Sequence, residues 1–214
     1  MTRLILIRHG QSIANLERFF AGHTDADLSE LGFAQAQRTA EYVTENYKVD
    51  KIYASDLKRA YNTAKPISEK LGIEIIPDER LREIYAGEWE AQKFDYLMEA
   101  YKEEYACLWK TDIGNARCPD GESTRELAER ILTRLKEIAA ENEGKTVVIA
   151  THATPIRAMQ CLWQGMSLDE MKDVSWVSNA SVTETIYENG GFSLVYAGRH
   201  EHLGDLVSGL PSNV

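Results

Sequence analysis

The sequence predicts an α/β sandwich whose sheet is mostly parallel and carries an antiparallel edge. Three observations predict it. Two short, wholly apolar runs, Leu4 to Ile7 and Val147 to Ala150, break into polar histidine turns; helical patterns lie between them; and two alternating segments near the C-terminus flank Glu188-Asn189-Gly190-Gly191. Continuous apolar runs this short suit strands buried on both faces, whereas Asn-Gly between alternating runs is a hairpin signal.

Taken in order, Leu4 to Ile7 reads as a strand ending in Arg8-His9-Gly10. Ser29 precedes Leu31, Ala34, Ala36, Ala40, Tyr42 and Val43, a helical pattern with Ser29 as N-cap and Glu30 in the first turn. Lys51 to Ala54 is a brief strand leading into Ser55-Asp56 and a second helix that ends near Leu71-Gly72. Pro66 interrupts that helix, as a kink or a short break, because it lacks an amide donor and clashes one turn back. From Tyr85 to Trp109 aromatic residues are dense, which suggests a helical, lid-type insertion over about residues 85–120 of a single domain 1–214. Ser123 with Glu126 forms a capping box, and Leu127, Ile131, Leu132, Leu135 and Ile138 continue it as a long helix. Thr146 to Ala150 is the next strand, followed by Thr151-His152-Ala153-Thr154 and a helix from about Pro155 to Trp163. Val182 to Tyr187 and Phe192 to Ala197 make the hairpin, and the tail from Arg199 onward reads as loosely held.

Composition narrows the function classes. Of 214 residues, 34 are acidic and 24 basic, and a net charge of -10 argues against nucleic-acid and anionic-membrane binding. No apolar stretch approaches the roughly 18 residues a membrane span needs, and the N-terminus lacks a signal-peptide pattern, so a cytoplasmic protein is expected. Cys107, Cys118 and Cys161 suggest neither a disulfide framework nor a zinc site. His200 and His202 could form a metal pair, but in such a tail they are expected to be exposed. Self-association into a homo-oligomer is left open.

Ligands of open α/β sheets sit beyond the carboxyl ends of strands, where both histidine turns fall. Arg8-His9-Gly10-Gln11-Ser12-Ile13-Ala14-Asn15 suggests an anion cradle: Gly10 permits close backbone approach, while Gln11, Ser12 and Asn15 offer hydrogen bonds. Ser55-Asp56-Leu57-Lys58-Arg59-Ala60, Leu81-Arg82-Glu83-Ile84 with Gly87-Glu88-Trp89-Glu90, and Thr151-His152-Ala153 complete a set of four motifs. In that order and spacing the set resembles the histidine phosphatase superfamily, also called the phosphoglycerate mutase-like fold. The resemblance covers residues 3 to about 165 and implies a three-layer α/β/α sandwich and a transiently phosphorylated histidine. By that resemblance His9 is the nucleophile, Arg8 and Arg59 bind phosphate, His152 is the second histidine and Glu83 the proton donor. Gly22 to Leu28 resembles the loop preceding the family's first long helix, and Asp120-Gly121-Glu122-Ser123 resembles its Gly-Glu-Ser segment.

Elementary chemistry fits these roles. A phosphoryl transition state spreads charge over three equatorial oxygens, and two guanidinium forks suit its positioning and stabilisation. A neutral imidazole can attack phosphorus if its other nitrogen is held by a hydrogen bond. A cationic His152 would add a charge-assisted bond, and a protonated Glu83 would serve the leaving oxygen. No metal and no other cofactor is expected, since the cationic side chains supply the charge neutralisation. The substrate-contact set is then Arg8, Gly10, Gln11, Ser12, Asn15, Arg59 and Ala153 around the catalytic set His9, Glu83 and His152. Glu88 and Glu90 compete with Glu83 for the acid role, His23 has no assigned role, and the aromatics divide between core and substrate box. Ala153 stands where the family often has Gly, and Ala91 replaces the Gly of its Trp-Glu-Gly. Family mutases typically continue Gly-Asn-Ser-Leu-Arg after the second histidine, and Ala153-Thr154-Pro155-Ile156-Arg157 lacks the asparagine. The expected function is hydrolysis of a small phosphorylated metabolite with inorganic phosphate as product. The alternatives are a phosphoglycerate mutase and a non-catalytic phosphate-binding module.

Overall fold

The computed structural model describes residues 1–209. Its sheet has six strands, β1 (Thr2–Arg8), β2 (Lys51–Ala54), β3 (Ile75–Pro77), β4 (Thr146–Thr151), β5 (Val182–Glu188) and β6 (Gly191–Arg199), in the order β3-β2-β4-β1-β5-β6. The first four in that order are parallel, and β5 and β6 add the antiparallel edge. Alternation along each buried strand divides the core in two. Leu4, Leu6, Val147 and Ile149 face helices α6 (Thr124–Glu141) and α7 (Ala153–Trp163), whereas Ile5, Ile7, Val148 and Ala150 face α2 (Glu30–Asn46) and α3 (Lys58–Leu71). Apolar residues at every position, rather than every second one, are what two helical layers require. The result is the three-layer α/β/α sandwich that the resemblance implied.

The caps fall where the side-chain chemistry puts them. Ser29 accepts from the Gly32 amide at the start of α2, and Ser123 and Glu126 close the reciprocal capping box of α6. Four expectations need correction or narrowing. α3 runs through Pro66, which is buried within it, so of the two expected outcomes no break opens there and the lost donor is tolerated within the packing of that layer. α7 begins at Ala153, two residues early, because Pro155 still lies in the first turn where amides have no helical partner. The segment after Arg199 is docked: a 3₁₀ turn over Glu201–Leu206 buries Leu203 completely, and the Gln35 amide of α2 donates to the Leu206 carbonyl at 2.8 Å. His202 is accordingly half-buried, stacked 4.7 Å from Tyr42 and bonded to Thr39, while His200 is exposed as expected. Of the tail as first read, residues 210–214 lie outside the described residues. Two short elements carried too little pattern to read: β3 and α1 (Ile13–Glu17).

Between residues 85 and 120 lie a 3₁₀ turn at Gly87–Trp89, helices α4 (Phe94–Ala100) and α5 (Lys102–Ala106), and a π-helical turn at Cys107–Thr111. Trp89, Leu97, Leu108 and Ile113 bury this segment into the α6/α7 side of the core. Among the described residues no helix is long and apolar enough to cross a membrane.

Candidate active site

Strand register brings the two histidine turns together. β1 and β4 are parallel neighbours with Arg8 opposite Thr151, so the residue after each strand lands beside the other. The His9 amide donates to the Thr151 carbonyl at 2.9 Å, and the His9 and His152 ring centroids are 5.2 Å apart. β2 flanks β4 on its other side, which sets Ser55 under His152 with Ser55 Oγ 2.8 Å from His152 Nε2. Three parallel strands thus end at one site, and α7 starts from it with His152 as its N-cap.

His9 is nearly fully buried. Its Nδ1 donates to the Gly10 carbonyl at 2.7 Å, which fixes the tautomer and leaves the Nε2 lone pair for chemistry. Burial, with the positive charges of Arg59 and Arg8, holds its pKa well below the usual imidazole value, so the neutral nucleophilic form dominates at neutral pH. His152 is also pushed well below, by burial first and Arg59 next. The protein's own surroundings therefore favour a neutral His152, so the cationic form considered from the sequence requires the counter-charge of a bound phosphate.

Both arginines are buried and anchored. Arg8 Nη1 donates to the Val177 carbonyl at 2.6 Å, while its buried Nε has no partner among the described residues. Arg59 spends Nη1 on the Thr24 carbonyl at 2.8 Å and Nη2 on the Gly22 carbonyl at 2.6 Å. Burial pushes each guanidinium down to about 10, with Glu83 opposing the shift, so both remain charged at neutral pH.

The three candidate acids separate clearly. Glu83 lines the cavity, its Oε1 accepting from the Ile84 amide at 2.9 Å and its Oε2 from the Thr154 amide at 3.3 Å. Glu88 is exposed. Glu90 is spent on backbone: Oε1 accepts from the amides of His23 and Ala86, and Oε2 from the amide and hydroxyl of Thr24. It thereby pins the Gly22–Thr24 turn whose carbonyls hold Arg59. His23 buttresses the other wall, its Nε2 donating to the Glu83 carbonyl at 2.9 Å, and Arg130 donates to the same oxygen at 3.1 Å while pairing with Glu122.

A cavity of about 100 Å³ opens over this floor. Of the substrate-contact set read from the sequence, Arg8, Ser12, Asn15, Arg59 and Ala153 line it, as do His9 and Glu83. Ser12 and Asn15 also cap α1 reciprocally. Asn15 Oδ1 takes bonds from Ser12 and from Asn179 Nδ2, which directs the donor end of its amide elsewhere. Gly10 and Gln11 do not line the cavity. A Cβ on Gly10 would sit 2.5 Å from the Gly32 carbonyl oxygen, so its close approach is to α2, and its amide goes to Thr63 Oγ1. Gln11 is likewise consumed, its Oε1 accepting from Ser29 Oγ at 2.8 Å. His152 lies beneath the lining, fully buried.

The remaining walls are largely aromatic: Phe19, Phe20, Phe94, Trp109 and Trp176. Phe94 and Trp109 belong to the dense aromatic segment, which serves both readings at once, since Trp89 is entirely core. Sequence reasoning missed Phe19, Phe20 and Trp176, along with Asn179, which donates to the His9 carbonyl at 3.1 Å. No local signal marks these residues, because only packing brings them to the site.

The family model described as "Histidine phosphatase superfamily (branch 1)" matches residues 4–199. The chain belongs to this superfamily. Its curated relatives include both phosphatases and phosphoglycerate mutases. Phosphoserine phosphatase 1 of Hydrogenobacter thermophilus is 35% identical over 170 residues, which are 79% of this chain and 80% of the relative. Among solved structures, Bacillus stearothermophilus YhfR superposes with a TM-score of 0.89 at 30% identity, covering 95% of this chain and 100% of its own. A variant of Entamoeba histolytica phosphoserine phosphatase in complex with phosphoserine gives 0.80 at 30% identity, again over 95% and 100%. This histidine phosphatase thus shares fold and chain length with its structural neighbours.

Proposed function

We propose that the chain hydrolyses small phosphomonoesters by way of a phosphohistidine on His9. The observation that carries this reading is the His9 ring: Nδ1 is committed to the Gly10 carbonyl, and the residue lines a cavity together with two charged arginines and one carboxyl group. In the first step His9 Nε2 forms a bond to phosphorus as the ester P–O bond breaks, and protonated Glu83 gives its proton to the departing alkoxide. In the second, Glu83 takes a proton from water, whose oxygen attacks phosphorus and releases inorganic phosphate from His9. Arg8 and Arg59 bind the equatorial oxygens, where transition-state charge accumulates. Asn15 and the amide end of α7 near Ala153 add neutral donors. His152 supports the floor, donating to a phosphate oxygen once the bound dianion raises its pKa.

We also read residues 1–209 as parts of one domain, with the 85–120 segment as a wall and lid of the cavity. Three unpaired cysteines and the acidic composition favour a reducing, cytoplasmic setting. The test is phosphate release from p-nitrophenyl phosphate by the wild type and by His9→Ala. Rapid quench of the wild type should trap an acid-labile, alkali-stable label on His9; turnover without such a label overturns the covalent route. Conversion of 3-phosphoglycerate to 2-phosphoglycerate faster than phosphate release would establish the mutase instead. A His9→Ala variant that altered phosphate binding beside a wild type with no turnover would establish a binding module.

A further inference from the structure

Resting on the phosphomonoesterase reading, the geometry points to a narrower substrate class: phosphate esters of an uncharged alcohol bearing an aromatic or comparably apolar group. The lining of the cavity combines two chemically distinct sets of side chains. Its charged lining residues are Arg8, Arg59 and Glu83, and all three belong to the floor around His9. The aromatic part of the lining is Phe20, Phe94, Trp109 and Trp176, and the lining carries no charged side chain beyond those three.

These rings form one packed surface. Phe20 lies 5.8 Å from Phe94 and 6.0 Å from Trp109, and Trp109 lies 5.5 Å from Trp176, centroid to centroid. Trp176 is backed by the buried Arg157 guanidinium, 4.2 Å from the ring, which itself donates to the Val174 and Lys172 carbonyls. The wall is therefore a packed surface anchored through Arg157 to the backbone. Two exposed cations neighbour it in the chain, and both are paired: Lys93 with Glu17 and Arg18 with Asp95.

A substrate such as phosphoserine or 3-phosphoglycerate would bring a carboxylate against these rings with no lining cation beyond Arg8 and Arg59 to receive it, and phosphoserine would add an ammonium when the one lining carboxylate, Glu83, is already committed to the ester oxygen. Desolvating such charges against aromatic faces opposes binding, whereas an aryl group gains area and ring contacts. The site is thus built to discriminate on the leaving group while treating the phosphoryl group alike.

The test compares alkyl esters so that leaving-group acidity does not decide the outcome: 2-phenylethyl phosphate, methyl phosphate, O-phosphoserine and 3-phosphoglycerate, each scored by phosphate release. The expected result is a kcat/KM for 2-phenylethyl phosphate at least about tenfold above that for phosphoserine, carried mainly by KM, as apolar pockets usually discriminate. Phe94→Leu should lower the ratio of 2-phenylethyl to methyl phosphate by roughly fivefold, within the range that lost apolar contacts give. Phe94→Arg should shift preference toward phosphoserine. Equal or better wild-type turnover of phosphoserine overturns the inference while leaving the phosphatase reading intact. An unchanged ratio in Phe94→Leu overturns the role of the wall. Absence of phosphate release from every ester, p-nitrophenyl phosphate included, removes the phosphatase reading and this inference with it.

Discussion

Replacing Glu90 by Gln tests how far the site depends on a carboxylate that never faces the cavity. Four donors converge on Glu90: the amides of His23 and Thr24 at 2.7 Å each, the Ala86 amide at 3.0 Å and the Thr24 hydroxyl at 2.5 Å. A carboxamide is nearly isosteric but has one oxygen, so whichever pair it serves, its NH₂ confronts a backbone amide on the other side. Hydrogen bonds to charged groups contribute about 1.5–3 kcal/mol each, and losing the equivalent of one to two gives about 3 kcal/mol. Part of that appears as stability, at about 2–4 °C of melting temperature per kcal/mol for a chain of this size. The rest releases the Gly22 and Thr24 carbonyls that orient Arg59. If most of it falls on transition-state binding, kcat/KM drops roughly 100-fold, since 1.36 kcal/mol is tenfold in rate. Measured together, p-nitrophenyl phosphate turnover, the inhibition constant of inorganic phosphate and the melting temperature decide the matter. A variant with kcat/KM within threefold of wild type, or with reduced turnover but unaltered phosphate inhibition, would refute the reasoning, because Arg59 should hold ground-state phosphate too.

Acidification should destabilise the protein before its carboxylates titrate. His9 and His152 are held below the unfolded imidazole value of 6.5, so between their folded pKa values and 6.5 the unfolded chain binds more protons. That contribution is complete above pH 6.5 and is lost as pH falls toward the folded values; a melting temperature that stays flat or rises from pH 7 to 5 would contradict it. Turnover should persist in excess EDTA, since Arg8 and Arg59 remain charged at neutral pH, and abolition restored only by a divalent cation would defeat the charge argument. Gly10→Ala should lower both melting temperature and activity, because its Cβ would meet the Gly32 carbonyl at 2.5 Å; a crystal structure with an unmoved loop and full activity would exclude this.

What could be read ahead depended on how local the cause was. The Ser29 N-cap and the Ser123–Glu126 capping box act over three residues, and both are present in the structure. The strand at Lys51–Ala54 was bounded correctly for the same reason. Pro66 opens no break because helix propensity is outweighed when the helix is clamped between α2 and the sheet. The docked tail misled for a related reason: Gly and Ser suggested slack, but Leu203 and the Leu206 carbonyl find partners on α2 that no local pattern announces.

Within the site, the order of motifs determined which residues were worth watching: His9, Arg8, Arg59, Glu83 and His152. Their convergence, however, is a property of the β2-β4-β1 register, which sets Ser55, His152 and His9 at adjacent strand ends. Gly10 and Gln11 fell on the wrong side of that line, since their hydrogen-bonding groups and surfaces are taken by Thr63, Ser29 and Gly32. That Glu83 rather than Glu90 lines the cavity, together with Phe20, Phe94, Trp109 and Trp176, is likewise a product of packing. By itself the sequence specified the sandwich, the helix starts and the chemistry available at two strand tips, because periodicity, caps and residue types are local. Which carboxylate lines the cavity beside His9 and which rings complete that lining required the tertiary structure, because those contacts join segments that only the closed fold brings together.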